Sequence, residues 1–199
     1  MGTRHLIAAK VDGEYKLAQY GQWDGYPDGQ GVAVLDFLVN KMDRDAFLAA
    51  LRNCRFIGRE EINAELVKFG ADPNDNYTIR LSDYDRFSEA HPEWSRDTGS
   101  KILEEIQSRG GCGLKNDLGF AADSLFCEWA YVLDFDAGTF EVYEGFNKLP
   151  LSEGDRFYFL EEKAEDGYHP VRLRASWSMD DLPQTEEDFL APFKEDEEG

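Results

Sequence analysis

The chain reads as an α+β protein. An antiparallel sheet is expected from an N-terminal hairpin and C-terminal strands, with helices from the middle of the chain packed on it. Three observations predict this. Val11-Asp12-Gly13-Glu14 is a hairpin signal, because Asp-Gly tolerates the positive φ angles of a tight primed turn. Apolar residues then recur at helical spacing through the middle of the chain. Alternation returns at Leu125, Cys127, Trp129, Tyr131, Leu133 and Phe135, with Glu128 and Asp134 on the other face. Hairpins at both ends with helices between them do not make the βαβ repeat of a parallel sheet. One domain over residues 1–193 is expected, followed by an acidic tail over 194–199.

In chain order, residues 3–11 and 15–22 form the hairpin. With Asp12 and Gly13 as the turn, Leu6 faces Gln19 and Arg4 faces Gly21. Arg4, Leu6, Ala8, Leu17 and Gln19 then share one face, and a one-residue slip would exchange the faces. Val32, Leu35, Leu38, Val39 and Met42 mark a helix over about 31–41. Asp43 caps a second helix carrying Phe47, Ala50, Leu51 and Cys54. A third helix, from about Arg59 to Phe69, turns Ile62, Leu66 and Phe69 inward and stops at Gly70. Tyr77 to Leu81 reads as a short strand, and Ser82-Asp83-Tyr84-Asp85 as the capping box of a helix ending near His91-Pro92. Asp97-Thr98 opens another helix with Ile102, Leu103 and Ile106 inward, ended by Gly110-Gly111. Residues 110–118 are expected to form a mobile loop. After the strand through Phe135 come strands at Thr139–Tyr143, Phe157–Glu161 and Val171–Trp177, the last two joined by Glu165-Asp166-Gly167. Thr185-Glu186-Glu187-Asp188 resembles a capping box for a short final helix.

Composition narrows the function classes. There are 41 acidic against 21 basic residues in 199, for a net charge of −20. That balance argues against binding nucleic acid or an anionic membrane over a broad surface. It leaves two partner classes: a small-molecule ligand, or a basic protein partner docking on the acidic surface. No apolar run approaches the ~20 residues of a membrane span, and no signal-peptide core is present, so the expected location is the cytoplasm. Cys54, Cys112 and Cys127 are too widely spaced for a zinc or CxxC pattern, and read as reduced thiols. His5, His91 and His169 are scattered and form no metal motif. Nothing in the sequence implies a cofactor.

The densest cluster of unusual residues is Gln19-Tyr20-Gly21-Gln22-Trp23-Asp24-Gly25-Tyr26-Pro27-Asp28-Gly29-Gln30-Gly31. Its Asp-Gly and Pro-Asp-Gly units demand repeated turning. It has neither the GxGxxG order nor the GxxxxGK[ST] lysine of nucleotide-binding loops. Two readings stand side by side. In one, Arg4, Gln19, Gln22, Asp24 and Tyr26 edge a ligand pocket floored by the following helix start, with Arg4 holding a phosphate or carboxylate. In the other, the bend is a structural turn and Arg4 pins it through Asp24 or Asp28. Glu128 and Asp134 are the remaining acid–base candidates, and no catalytic residue is assigned.

The opening Met1-Gly2-Thr3-Arg4 and the segment Gln22-Trp23-Asp24-Gly25-Tyr26-Pro27-Asp28-Gly29-Gln30-Gly31 resemble a family of uncharacterised proteins of fungi, bacteria and phages. Its members share an M-x-T-R opening and a Q-x-D-G-Y-P-x-G-x-G segment. Phe120-Ala121-Ala122-Asp123-Ser124-Leu125-Phe126-Cys127-Glu128-Trp129-Ala130-Tyr131 also resembles its fungal members. The resemblance implies no activity. By layout alone, a hairpin with functional groups at its mouth is similar to N-terminal-nucleophile hydrolases. Removing Met1 here exposes Gly2, which carries no nucleophile.

Overall fold

A five-stranded, mostly antiparallel sheet organises the chain, in a computed structural model that describes residues 2–163 and 167–194. Its strands are β1 (His5–Val11), β2 (Glu14–Gly21), β5 (Trp129–Asp134), β6 (Thr139–Glu144) and β7 (Arg172–Ser178), in the order β2-β1-β5-β6-β7. The N-terminal hairpin therefore joins the C-terminal strands, as the sequence predicts. The seam between them, β1 with β5, is parallel; the other three pairings are antiparallel. The turn Asp12-Gly13 has φ of 54° and 80°, as a primed turn requires.

One residue changes the hairpin's register. Lys10 pairs with Tyr15, but Ala9 pairs with Leu17, so Lys16 is bulged out. Beyond the bulge the expected pairing slips by one: Leu6 faces Tyr20, and His5, not Arg4, faces Gly21. Leu17 and Gln19 thus share a face with Ile7, while Ala18 joins Leu6 and Ala8. Arg4 and Gln19, expected on one face, lie on opposite faces.

Both faces of the sheet are covered. On one, Ile7, Leu17, Tyr131, Leu133, Phe140 and Val142 pack on the helices. Those helices are α1 (Val32–Asp36), α2 (Arg44–Asn53), α5 (Lys101–Arg109) and α6 (Glu186–Leu190). On the other face, Leu6, Ala8, Ala18, Ala130, Val132 and Tyr143 pack on Ala121, Ala122, Phe157 and Leu160. α1 is flanked by wider π-type turns, Pro27–Gly31 and Phe37–Lys41, making one continuous helical run. The expected caps are present: Asp43 accepts from the Ala46 N–H at 3.0 Å, and Thr185 from the Asp188 N–H at 3.1 Å. Ile102, Leu103 and Ile106 are fully buried, and α5 ends at Gly110 in the left-handed region.

Four local expectations are corrected. Residues 77–81 are not a strand: Asn76 and Tyr77 both take positive φ, and the loop closes with a single Asp72–Thr78 bridge. The next helix, α4 (Leu81–Ala90), starts at Leu81 with Arg80 before it, so Ser82 is not its cap. Residues 157–161 are not a strand either. Tyr158–Lys163 is a 3₁₀ turn, in which Phe157 and Leu160 are buried three residues apart while Tyr158 and Phe159 face outward. α3 (Arg59–Lys68) buries no residue; Phe69, just after it, packs edge-on to Phe87 and His91 instead. In the segment 110–118, β4 (Gly113–Leu114) pairs in parallel with β3 (Arg55–Phe56), and Asp117 accepts from the Tyr20 N–H at 3.0 Å. The Glu165-Asp166 turn and the tail beyond Lys194 lie outside the described residues.

Candidate functional site

The glycine-rich bend is held by its own backbone and its neighbours. The Gly25 N–H donates to the Thr3 carbonyl at 3.0 Å, and the buried Tyr131 hydroxyl donates to the Gly25 carbonyl at 2.7 Å. The Gln30 N–H donates to the Asp24 carbonyl, and the Trp23 indole N–H to Asp97 at 2.7 Å. Gly21 lies so close to His5 that a Cβ there would overlap the imidazole ring.

The five residues expected to edge a pocket do not share one recess. Arg4 stacks over the Phe126 ring at 4.5 Å and pairs with Glu128 at 3.5 Å, so its acidic partner is neither Asp24 nor Asp28. Gln19 is buried on the opposite face; its amide donates to the Ser95 carbonyl at 3.0 Å, and its Oε1 has no partner among the described residues. It borders a recess of about 250 Å³ with Glu93, Trp94 and Lys115. Gln22 accepts from the Tyr20 hydroxyl. Asp24 is exposed at a φ of 58°. Tyr26, half exposed, borders an aromatic depression of about 540 Å³ with Trp129, Leu190 and Phe193. The bulge at Lys16 is the physical reason that Arg4 and Gln19 part company.

A polar cleft lies at the other end of the same hairpin, beside the Asp12-Gly13 turn. It measures about 550 Å³ and is lined by Lys10, Tyr15, Asp134, Glu141, Tyr143 and Arg156 among others. The pleat builds it. Along β1 the side chains on this face run Leu6, Ala8, Lys10; along β5 they run Ala130, Val132, Asp134; β6 adds Tyr143 and Glu141. The face is therefore apolar at one end and charged at the other. Phe157 and Leu160 cover the apolar end, and Arg156, next in the chain, is delivered to the charged end.

Arg156 is the hub of the cleft. Its Nε donates to Glu141 at 2.6 Å, and its Nη2 donates to the other Glu141 oxygen at 2.8 Å, a two-point pairing. Nη2 also lies 2.7 Å from Asp134, and Nη1 reaches the Tyr15 hydroxyl at 3.4 Å. Tyr143 donates to Glu141 at 2.5 Å, and Thr139 donates to its other oxygen at 2.8 Å. The Asp136 and Ala137 N–H groups donate to Asp134. Lys10 stands 3.9 Å from Asp134.

These contacts set the protonation states. Burial alone would raise the Asp134 carboxyl, but the Ala137 N–H and Arg156 together hold it below the usual carboxylate range. Burial likewise opposes, and Arg156, Tyr143 and Thr139 outweigh it, at Glu141. Burial raises the Tyr15 and Tyr143 phenols, and Glu141 raises Tyr143 further. Near neutral pH the cleft thus holds two carboxylates as anions and two phenols as neutral donors. None of these four groups is poised to exchange a proton at that pH. Its least committed donors are the Lys10 ammonium and Arg156 Nη1, with Phe159 and Leu173 forming an exposed apolar lip.

Of this cleft the sequence singled out Asp134 alone. A signal for the rest was present: Leu6-Ala8-Lys10 and Ala130-Val132-Asp134 both end their alternation on a charge. It becomes legible only once β1 and β5 are known to be neighbours in register.

The fold and cleft define an α+β protein with a charged recess on one face of a mixed sheet. No family model, curated protein or solved structure matches the chain. Among the described residues no helix is long and apolar enough to cross a membrane, and no group of His, Cys, Asp or Glu is arranged to hold a metal ion.

Proposed function

We propose that the protein binds a small molecule carrying an anionic group and an apolar or planar part, in the Lys10–Arg156 cleft, without transforming it. The observation that carries this reading is the convergence of seven ionisable side chains, Asp155 among them, from both hairpins and the 151–163 segment on one recess. Lys10 and Arg156 Nη1 supply positive donors for the anion, the Tyr15 hydroxyl adds a neutral one, and Phe159 and Leu173 offer a surface for the rest of the ligand. The neutral phenols and ionised Asp134 and Glu141 favour recognition over acid–base chemistry. The reading keeps a ligand site on the N-terminal hairpin but puts it at the turn end, away from the 19–31 bend.

Thermal shift against nucleoside monophosphates, sugar phosphates and small carboxylic acids tests it. A ligand at a hundredfold excess over its Kd stabilises the folded state by about 2.7 kcal/mol. Lys10→Ala and Tyr15→Phe should each weaken that stabilisation. A flat panel, or a hit undiminished in Lys10→Ala, overturns the assignment.

A second reading rests on a different observation. Tyr158, Phe159 and Leu173 are exposed apolar side chains on a chain of net charge −20. Together they suit a basic protein partner with an apolar anchor. Such a contact weakens steeply as ionic strength rises, which a small-molecule cleft contact does less.

A further inference from the structure

Two of the three cysteines, 58 positions apart in sequence, are brought side by side by the small β3–β4 pairing. In that parallel ladder Arg55 pairs with Gly113, so the residues just before them, Cys54 and Cys112, are neighbours. The Arg55 N–H donates to the Cys112 carbonyl at 3.2 Å. Gly111 makes the approach possible. A Cβ there would sit 2.6 Å from the Asn53 Cβ and 2.8 Å from the Ala50 carbonyl, so no larger residue lets the chain run this close to the end of α2. The Asn53 amide donates to the Gly110 carbonyl at 3.0 Å and fixes the crossing. Cys54 is 2% exposed, Cys112 is partly exposed, and both are free.

We propose that Cys54 and Cys112 are a redox-active pair that closes to an intramolecular disulfide by exchange with a small-molecule disulfide such as oxidised glutathione. The accessible sulfur is Cys112. As its proton passes to the Cys54 sulfur, the Cys112 sulfur attacks one sulfur of the oxidant; that S–S bond breaks, and one glutathione leaves as thiolate. Cys54 then attacks the Cys112 sulfur, the mixed disulfide breaks, and the second glutathione leaves. Two protein thiols are oxidised by two electrons, one small disulfide is reduced, and the two thiol protons end on the two departing glutathione thiolates. The nearness of the two thiols lowers Cys54 and, together with burial, raises Cys112, so Cys54 is the group that takes up the Cys112 proton as Cys112 attacks. Cys127, fully buried beneath the other face of the sheet, takes no part.

The test uses the native full chain incubated with oxidised glutathione, quenched by alkylation and read by intact mass and peptide mapping. The wild type should lose two alkylatable thiols together, keep no glutathione adduct, and yield a cross-linked peptide joining Cys54 to Cys112, all reversed by a reductant. Cys54→Ser should trap one glutathione on Cys112, and Cys112→Ser should form neither adduct nor disulfide. A wild type that stays unmodified, that accumulates the Cys112 adduct without closing, or whose cross-link involves Cys127, overturns the proposal. The peptide map of the wild type decides the matter even where a serine variant fails to fold.

Discussion

His5 gives the sharpest quantitative prediction. Its side chain is 1% exposed, and neither ring nitrogen makes a hydrogen bond of normal geometry among the described residues. Burial lowers its pKa from 6.5 to about 4, opposed only in part by the Thr3 backbone. Between those two values the unfolded chain binds a proton that the folded chain refuses. Stability therefore falls as the pH drops from above 6.5 toward 4, and the contribution is fully intact only above that window. At about 1.36 kcal/mol per unit, the full loss is about 3 kcal/mol, of which about 2 kcal/mol falls between pH 7 and pH 5. Carboxylates also gain protons as the pH falls, so the informative quantity is a difference. Urea unfolding of the wild type and of His5→Leu at pH 7, 6 and 5 supplies it. The variant's stability relative to wild type should improve by about 2 kcal/mol over that span, whatever its offset at pH 7. Parallel pH profiles for the two proteins would refute the reasoning.

Three further outcomes follow from the packing. Arg156→Met strands the buried Asp134 and Glu141 carboxylates and should cost about 3–5 kcal/mol in chemical denaturation at pH 7, with a smaller deficit in mild acid, where those carboxylates protonate. Gly21→Ala drives a methyl into the His5 ring and should cost about 1–3 kcal/mol, a loss that a smaller residue at position 5 relieves. Thr185→Ala removes the cap of α6 and should lower stability by about 1 kcal/mol, read as a fall in Tm.

The parts of the fold legible in the sequence are those whose cause is local. Asp12-Gly13 dictates its turn, Asp43 and Thr185 carry their own capping oxygens, and Gly110 marks the end of α5 because few other residues accept its φ of 70°. The bulge at Lys16 has no such mark, since nothing in Tyr15-Lys16-Leu17 distinguishes a bulged lysine from a paired one. Phe157-Tyr158-Phe159-Leu160 reads equally as a strand or as a turn of 3₁₀ helix, and only the surface beneath it, which accepts Phe157 and Leu160, decides. The candidate site fared less well for the same reason. Arg4 stands out in the sequence, but its partner Glu128 lies 124 residues away, and the Arg156 cluster depends on which strands stand next to each other. Local chemistry names residues; neighbourhood assigns them work.

The parallel seam between β1 and β5 has a consequence for how the chain comes into being. β1 is an interior strand whose second neighbour begins at Trp129. During synthesis the first hairpin must wait, one long edge unsatisfied, until the chain through Asp134 has left the ribosome. Such distant pairing makes for slow maturation and a window in which that open edge can recruit a strand from another nascent copy.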